Sequence, residues 1–291
     1  MSFCPRRSAL YVPATNSRAL EKAKLLDVDC LIIDLEDAVS PIEKQSARDK
    51  LRALLADNPY ENKECIIRVN SLQSEWGEED ILSFKDAGHD GFLIPKVKHG
   101  DDLRQVDALL KQNKAHDIKL WAMLETPMAI LNVQNIMAVV EEDIALAACI
   151  MGMNDLAKET GVSLEHNRLA MQPWLMQCVA AARAYNIAIL DGVFNRLKDE
   201  EAFKHECEQG VLFGMDGKTL IHPNQIDACH EAFTPSFEAI EKAKRIVDAF
   251  NLPENENKGV IALDGSMVER LHADMAAALL EKMDVIEKRK G

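Results

Sequence analysis

The chain has 291 residues, 47% hydrophobic and 28% charged, with a formal net charge of −14. That length can bury one large core and carry an appendage. The acidic balance excludes nucleic acid and anionic membrane as main partners, since both would be repelled, but a local basic patch still admits a small anionic ligand.

The N-terminal segment, Met1 to Arg7, has no apolar signal core, and no stretch of the sequence is long enough to span a bilayer. Seven cysteines, Cys4, Cys30, Cys65, Cys149, Cys178, Cys207 and Cys229, are scattered without C-x-x-C spacing. Buried free thiols in a reducing cytoplasm are therefore expected.

Short apolar runs predict strands at 9–12, 30–35, 65–69, 91–97, 120–124, 147–151, 187–190 and 211–213. Amphipathic stretches predict helices over 17–26, 41–56, 101–112, 128–141, 167–185 and 200–209. Eight buried strands alternating with helices describe a parallel (β/α)8 TIM barrel, with a doubly wound open sheet as the rival arrangement. The barrel is assigned to residues 1–235. Residues 236–259 supply a helix and a breaker-rich linker, and 260–291 a C-terminal lid of strand or turn plus helix. That tail is too small to build a core alone, so it should pack on the barrel or on a neighbouring subunit.

In such a barrel the chemistry collects at the carboxyl ends of the strands. The second predicted strand ends in Asp34, Glu36 and Asp37, the third in Arg68 and Asn70, and the fourth in Pro95 and Lys96. The fifth ends in Glu125, the sixth in Asp155 and the seventh in Asp191. These carboxylates outnumber one arginine and one lysine, and their mutual repulsion calls for a bound cation. An all-oxygen set without clustered His or Cys suits a hard ion, Mg2+ or Mn2+, rather than zinc. Glu125 and Asp155 follow successive strands and are the expected metal pair. Each residue also has a plainer role: Glu125 in a salt bridge, Asp155 as a helix cap, Arg68 as the ion-pair partner of Glu36 or Asp37.

Two motifs are set aside. Gly214-Met-Asp-Gly217-Lys218-Thr219 has the tail of a phosphate-binding loop, but Leu212 stands where its first glycine belongs and Ile221-His222-Pro223 follows instead of a helix. Lys96 could act as a Schiff-base lysine, but neighbouring carboxylates raise its pKa and blunt it as a nucleophile.

Several segments together resemble the HpcH/HpaI aldolase and citrate lyase beta-subunit family. They are Leu10-Tyr-Val-Pro13, Cys30-Leu-Ile-Ile-Asp-Leu-Glu-Asp-Ala38, Ile67-Arg-Val-Asn70, Leu124-Glu-Thr-Pro127 and Gly152-Met-Asn-Asp-Leu156. Gly217-Lys-Thr-Leu-Ile-His-Pro-Asn-Gln225 and Leu263-Asp-Gly-Ser-Met-Val-Glu269 complete the set, in order over nearly the whole chain. Within the family the chain most resembles CoA-ester lyases acting on malyl-CoA, citramalyl-CoA and related 3-hydroxyacyl thioesters.

The resemblance implies Mg2+-dependent cleavage of a 3-hydroxyacyl-CoA thioester to acetyl-CoA, or a homologue, and a 2-oxo acid. It implies a homo-oligomer, trimer or hexamer. Metal ligation falls on Glu125 and Asp155, substrate binding on Arg68, and acid/base work on Asp264 reaching into a neighbouring subunit's site. CoA contacts fall on Tyr11, Arg18, Ile221 and His222. Asp264 before Gly265 and His222 before Pro223 also read as turn residues. Ala14 replaces a common glycine, Glu269 a usual aspartate and Leu271 a common proline. Related readings are a malyl-CoA thioesterase, a citrate lyase beta subunit acting on an acyl-carrier-protein thioester, and a non-catalytic scaffold subunit. Against the scaffold stands the costly joint retention of Glu125, Asp155, Arg68 and Asp264.

Overall fold

The computed structural model describes residues 5–115 and 118–289, so Cys4 lies outside the described residues. They form two units: Arg6–Glu231, and a smaller one of Pro5 with residues 232–289.

In the first unit eight parallel strands close into a barrel: β1 (Ser8–Pro13), β2 (Cys30–Asp34), β3 (Glu64–Arg68), β4 (Gly91–Ile94), β5 (Lys119–Leu124), β6 (Leu146–Met151), β7 (Ala188–Asp191) and β8 (Gly217–Leu220). They pair in chain order, and β8 returns to β1 with Lys218 opposite Ser8 and Leu220 opposite Leu10. The strands are near-continuous apolar runs because helices cover their outer faces while side chains fill the interior. Alternate residues point inward, and Ala9, Cys30, Ile32, Ile66, Trp121, Met123 and Ile150 belong to one buried cluster. Two residues further along the same inward rows stand Tyr11, Asp34, Arg68, Glu125 and Gly152. The face that is apolar in the barrel's middle thus becomes charged at its carboxyl end.

The eighth strand is displaced from the expected 211–213. Val211 and Leu212 close the helix Glu200–Leu212, and the strand is Gly217–Leu220, overlapping the end of the rejected phosphate-loop look-alike. It escapes an apolar search because half of it is Lys218 and Thr219. Lys218 is fully buried, with Nζ 2.8 Å from Asp191 and 2.7 Å from Glu206, while Arg168 meets the other oxygen of Asp191 at 2.6 Å. Burial works against the charge of Asp191, yet Lys218 and Arg168 hold its carboxyl below the usual carboxylate range. Asp191 is therefore a neutralised brace between β7 and β8 and leaves the set of metal candidates.

Helical boundaries shift for local reasons. The helix expected over 128–141 is interrupted at Asn132, between Pro127–Leu131 and Val133–Met137. Asn167 and Arg168 both adopt φ 57°, so the helix expected from residue 167 begins at Gln172. A short helix, Gly77–Phe84, follows β3 where none was expected.

In the smaller unit a helix, Phe237–Phe250, a hairpin of β9 (Val260–Leu263) and β10 (Ser266–Glu269), and a second helix, Arg270–Lys288, share one cluster. Ile246 and Phe250 of the first helix meet Ile261, Val268, Ala273 and Ala276 there. The tail finds an apolar partner in the helix of residues 236–259, where the sequence placed it against the barrel or a neighbouring subunit. Asp264 and Gly265 turn the hairpin with φ 51° and 77°, the two positive values a two-residue type I′ turn requires.

Cys30, Cys65, Cys149, Cys178, Cys207 and Cys229 are buried thiols without a disulfide among the described residues. No described helix is long and apolar enough to cross a membrane.

Asp191→Ala should leave Lys218 and Arg168 facing one another without enough negative charge. We expect a loss of ~3–5 kcal/mol, read from the urea unfolding midpoint. A midpoint equal to that of the parent protein would refute the brace.

Candidate active site

The carboxyl ends of the strands enclose a cavity of about 400 Å³, with Tyr11, Asp34, Arg68, Glu125, Asp155 and Ile221 in its lining. A neighbouring cavity of about 560 Å³ lies among the loops after β2, β3 and β4, with Lys44, Trp76 and Lys96 in its lining. The smaller cavity holds both expected metal ligands and is the candidate site. Of the eight expected site residues it gathers five: Tyr11, Arg68, Glu125, Asp155 and Ile221. Arg18 and His222 are exposed outside its lining, and Asp264 belongs to the smaller unit.

Strand register sets Asp34 opposite Arg68. Arg68 donates from Nε and Nη2 to the two oxygens of Asp34, both at 2.7 Å. The backbone N–H groups of Glu36 and Ala38 donate to the same carboxylate at 2.8 and 3.1 Å. Nη1 of Arg68 lies 3.1 Å from Glu36 and 3.4 Å from Asp37, and the guanidinium sits 5.0 Å from the centre of the Tyr11 ring. A guanidinium has five N–H donors, and these contacts leave one on Nη2. Burial opposes the charge on Arg68, but the bond to Asp34 and its charge keep the guanidinium protonated. The ion-pair role expected for Arg68 is thus present, with Asp34 as its main partner.

Glu125 follows β5 and is 1% exposed. Thr126 then caps the next helix through the N–H of Ala129 at 3.0 Å, with Pro127 at its first position. Oε1 of Glu125 accepts the backbone N–H of Lys96 at 2.7 Å, which Lys96 presents from a left-handed φ of 53°. The salt bridge expected of Glu125 in its plainer role is absent among the described residues. Burial first, then the charge of Glu36, push its carboxyl up to about 8.

Asp155 stands in the first turn of the helix Met153–Thr160, on the adjacent strand's loop. The cap position belongs to Gly152, and no side-chain bond closes this helix start, so Asp155 is not a cap. Gly152 is required by space: a Cβ there would come within 2.3 Å of the Glu125 Cβ and 2.9 Å of its Oε2.

Lys96 Nζ bonds Glu36 at 2.7 Å. Burial lowers its pKa, but the bond and charge of Glu36 prevail and raise it, which disarms it as an imine-forming amine. His222 takes the turn role: its Nδ1 accepts the N–H of Asn224 at 3.2 Å, ahead of Pro223–Gln225. Asp264 pairs with Arg245 at 3.3 Å and is largely exposed at the hairpin tip.

Among the described residues no three of His, Cys, Asp and Glu are grouped to hold a metal ion. A pair of hard oxygens fits an ion that keeps several waters and takes substrate oxygens, as Mg2+ does. Glu125, buried beside other carboxylates without a paired cation, is the orphaned charge such an ion would compensate. The sequence places Asp34 among the strand-end carboxylates, but not as the partner of Arg68; counting by twos along the inward rows would have set the two side by side. Gly152 and the Lys96 backbone donor were not singled out, since they act through space and backbone.

Fold and site define a barrel enzyme with an acidic mouth ordered around one arginine. The chain belongs to the HpcH/HpaI aldolase/citrate lyase family, whose model matches residues 7–223. It is similar to the (3S)-malyl-CoA thioesterase of Cereibacter sphaeroides, 45% identical over 97% of this chain and 96% of that one. It is also similar to the citrate lyase subunit beta of Haemophilus influenzae, 32% identical over 95% and 96%. Its fold matches the CitE protein of Mycobacterium tuberculosis, solved with magnesium, acetoacetate and coenzyme A: TM-score 0.77, 24% identity, 96% of this chain and 98% of that one.

The raised Glu125 pKa has a signed consequence for the metal-free protein. Between the usual carboxylate range and about 8, the native state holds a proton that the unfolded chain releases. Its stabilising contribution is complete at low pH and is lost as pH rises through that window. Thermal unfolding without divalent cations should therefore fall from about pH 5 to about pH 8, and Glu125→Gln should flatten that slope. An identical slope in the variant would refute the shift.

Proposed function

We propose that the chain is a Mg2+-dependent lyase that cleaves a 3-hydroxyacyl-CoA thioester to acetyl-CoA, or a homologue, and a 2-oxo acid. The observation that carries this reading is the pair Glu125 and Asp155, without a paired cation among the described residues, in one cavity with Arg68. Glu125 and Asp155 would hold the ion, and Mn2+ is the other hard ion that fits the set. When bound, Mg2+ supplies Lewis-acid polarisation of the oxo-acid oxygens.

The chain's own groups do the rest. Arg68, fixed by Asp34, offers its remaining N–H to the substrate and spreads negative charge as the bond breaks; a preorganised donor of this kind contributes ~2.7–4 kcal/mol. The broken bond joins the hydroxyl-bearing carbon to the thioester α-carbon. Its electron pair passes to the α-carbon, which takes up a proton, while the hydroxyl loses its proton and becomes the carbonyl. Asp264 is the proposed proton carrier to the α-carbon. Its exposure at the tip of a turn supports action on a neighbouring subunit's site within a homo-oligomer. Tyr11 and Ile221 would meet the CoA thioester inside the cavity, and Arg18 and His222 its outer portion.

The 45% identity to a malyl-CoA thioesterase favours a second reading, in which water attacks the thioester carbonyl and releases free CoA and the hydroxy acid. One assay separates the two. Lysis of the carbon–carbon bond yields an acyl-CoA and an oxo acid without free thiol, whereas hydrolysis yields free thiol and no oxo acid.

Glu125→Gln and Asp155→Asn should each abolish turnover and calorimetric Mg2+ binding while preserving the fold. Mg2+ binding unchanged in both variants would remove them as ligands. Arg68→Lys loses the planar fork that grips Asp34, so kcat/KM should drop by about two orders of magnitude or more. An inactive Asp264→Ala chain co-assembled with an inactive Arg68→Ala chain should regain partial activity. Verified mixed oligomers no better than their parents would return Asp264 to its own subunit or to the turn alone.

A further inference from the structure

The larger cavity, beside the candidate active site, is lined by three lysines that the proposed chemistry does not use: Lys44, Lys96 and Lys98. Lys44 is 5% exposed, and its ammonium spends all three donors on neutral oxygens. These are the carbonyls of Leu35 and Glu36, both at 2.7 Å, and Oδ1 of Asn70 at 2.8 Å. No carboxylate pairs with it among the described residues. Burial lowers its pKa, and the charges of Asp80 and Asp34 only partly oppose this. A buried charge without a paired counter-charge is costly unless something else compensates it.

Lys98 is exposed and has no ion pair among the described residues. Lys96 has a half-exposed side chain that bonds Glu36 at 2.7 Å, which leaves two of its donors open. Three carboxylates line the same cavity: Glu36, Asp37 and Glu159. Two of them are already engaged by Arg68, with Glu36 at 3.1 Å and Asp37 at 3.4 Å. The exposed Glu159 is thus left against both Lys44 and Lys98. Excess positive charge in a concave setting draws small anions, because the low-dielectric walls focus its field. The volume of about 560 Å³ admits such a ligand, and Trp76 stands in the lining with its ring centre 5.2 Å from Nζ of Lys44.

We infer that this cavity is a second ligand site, taken by a small, multiply charged oxyanion, a dicarboxylate or a phosphate. Lys96 and Lys98 bind it directly, and Lys44, whose donors are spent, attracts it by charge alone. An anion on Lys96 competes with Glu36 for the ammonium, and the backbone of the same residue orients Glu125. The inference does not rest on the CoA-ester reading, and no thioester enters its test.

Inorganic phosphate and succinate are titrated separately into the intact protein without added divalent cation, at constant ionic strength, with chloride as the control. Binding is followed by calorimetry and by tryptophan fluorescence. At least one of the two anions should bind saturably and change an emission that disappears in Trp76→Phe. Lys98→Gln, a change at an exposed position, should weaken that binding about tenfold or more. Tighter binding of phosphate assigns a phosphate-bearing ligand, and tighter binding of succinate a dicarboxylate. Saturable binding that Lys98→Gln leaves unchanged, or that carries no Trp76 signal, places the anion elsewhere and overturns the inference. Saturable binding of neither anion overturns it as well.

Discussion

The two-pronged bond between Asp34 and Arg68 is the constraint on which the mouth of the barrel depends. It links neighbouring strands at the level where the interior stops being apolar, and backbone donors from Glu36 and Ala38 saturate the carboxylate. An arginine so held cannot swing away, and its one open donor points from a fixed place. Glu36 extends the constraint sideways, bonding Arg68 on one oxygen and Lys96 on the other. The backbone of Lys96 in turn orients Glu125. A continuous chain of charge-assisted contacts therefore runs from β2 to β5. Such contacts are about twice as strong as neutral hydrogen bonds and fix geometry as well as energy.

That chain also separates two kinds of carboxylate that look alike in sequence. Asp34, Glu36 and Asp191 each face a cation within 3.1 Å and serve as framework. Among the described residues Glu125 has only a backbone donor, inside a buried setting that resists its ionisation. Compensated acids and uncompensated acids are told apart by their partners. The same reasoning explains how a strongly acidic protein bears so many carboxylates at one barrel end: most of them are already compensated.

Much of this was legible in the sequence. The alternation of apolar runs and amphipathic stretches named the barrel, and strand-end chemistry brought Glu125, Asp155 and Arg68 to one mouth because strand ends in a parallel barrel all face one way. The eighth strand was illegible because its burial is electrostatic. Lys218 lies in the core on ion pairs that no apolar pattern announces. Gly152 was invisible for another reason, since its contribution is the room it leaves beside Glu125. The hairpin at Asp264 and Gly265 could be read from two residues alone, because few other pairs tolerate two positive φ angles.

The return of β8 to β1 has a consequence for how the chain reaches this structure. Residues 8 and 218 must meet before the sheet has no edges. On a growing chain β1 emerges first and waits through the synthesis of almost the entire unit before its second partner exists. Until then one side of β1 presents free backbone donors and acceptors, the kind of edge that recruits foreign strands. Parallel sheets closed by such distant segments fold slowly and pass through open, aggregation-prone forms. Gly217 sharpens the dependence, because a Cβ there would strike the carbonyl of Arg6 at 1.9 Å. The last seam of the barrel admits only a bare backbone, so the final closure is gated by the absence of a side chain at one position.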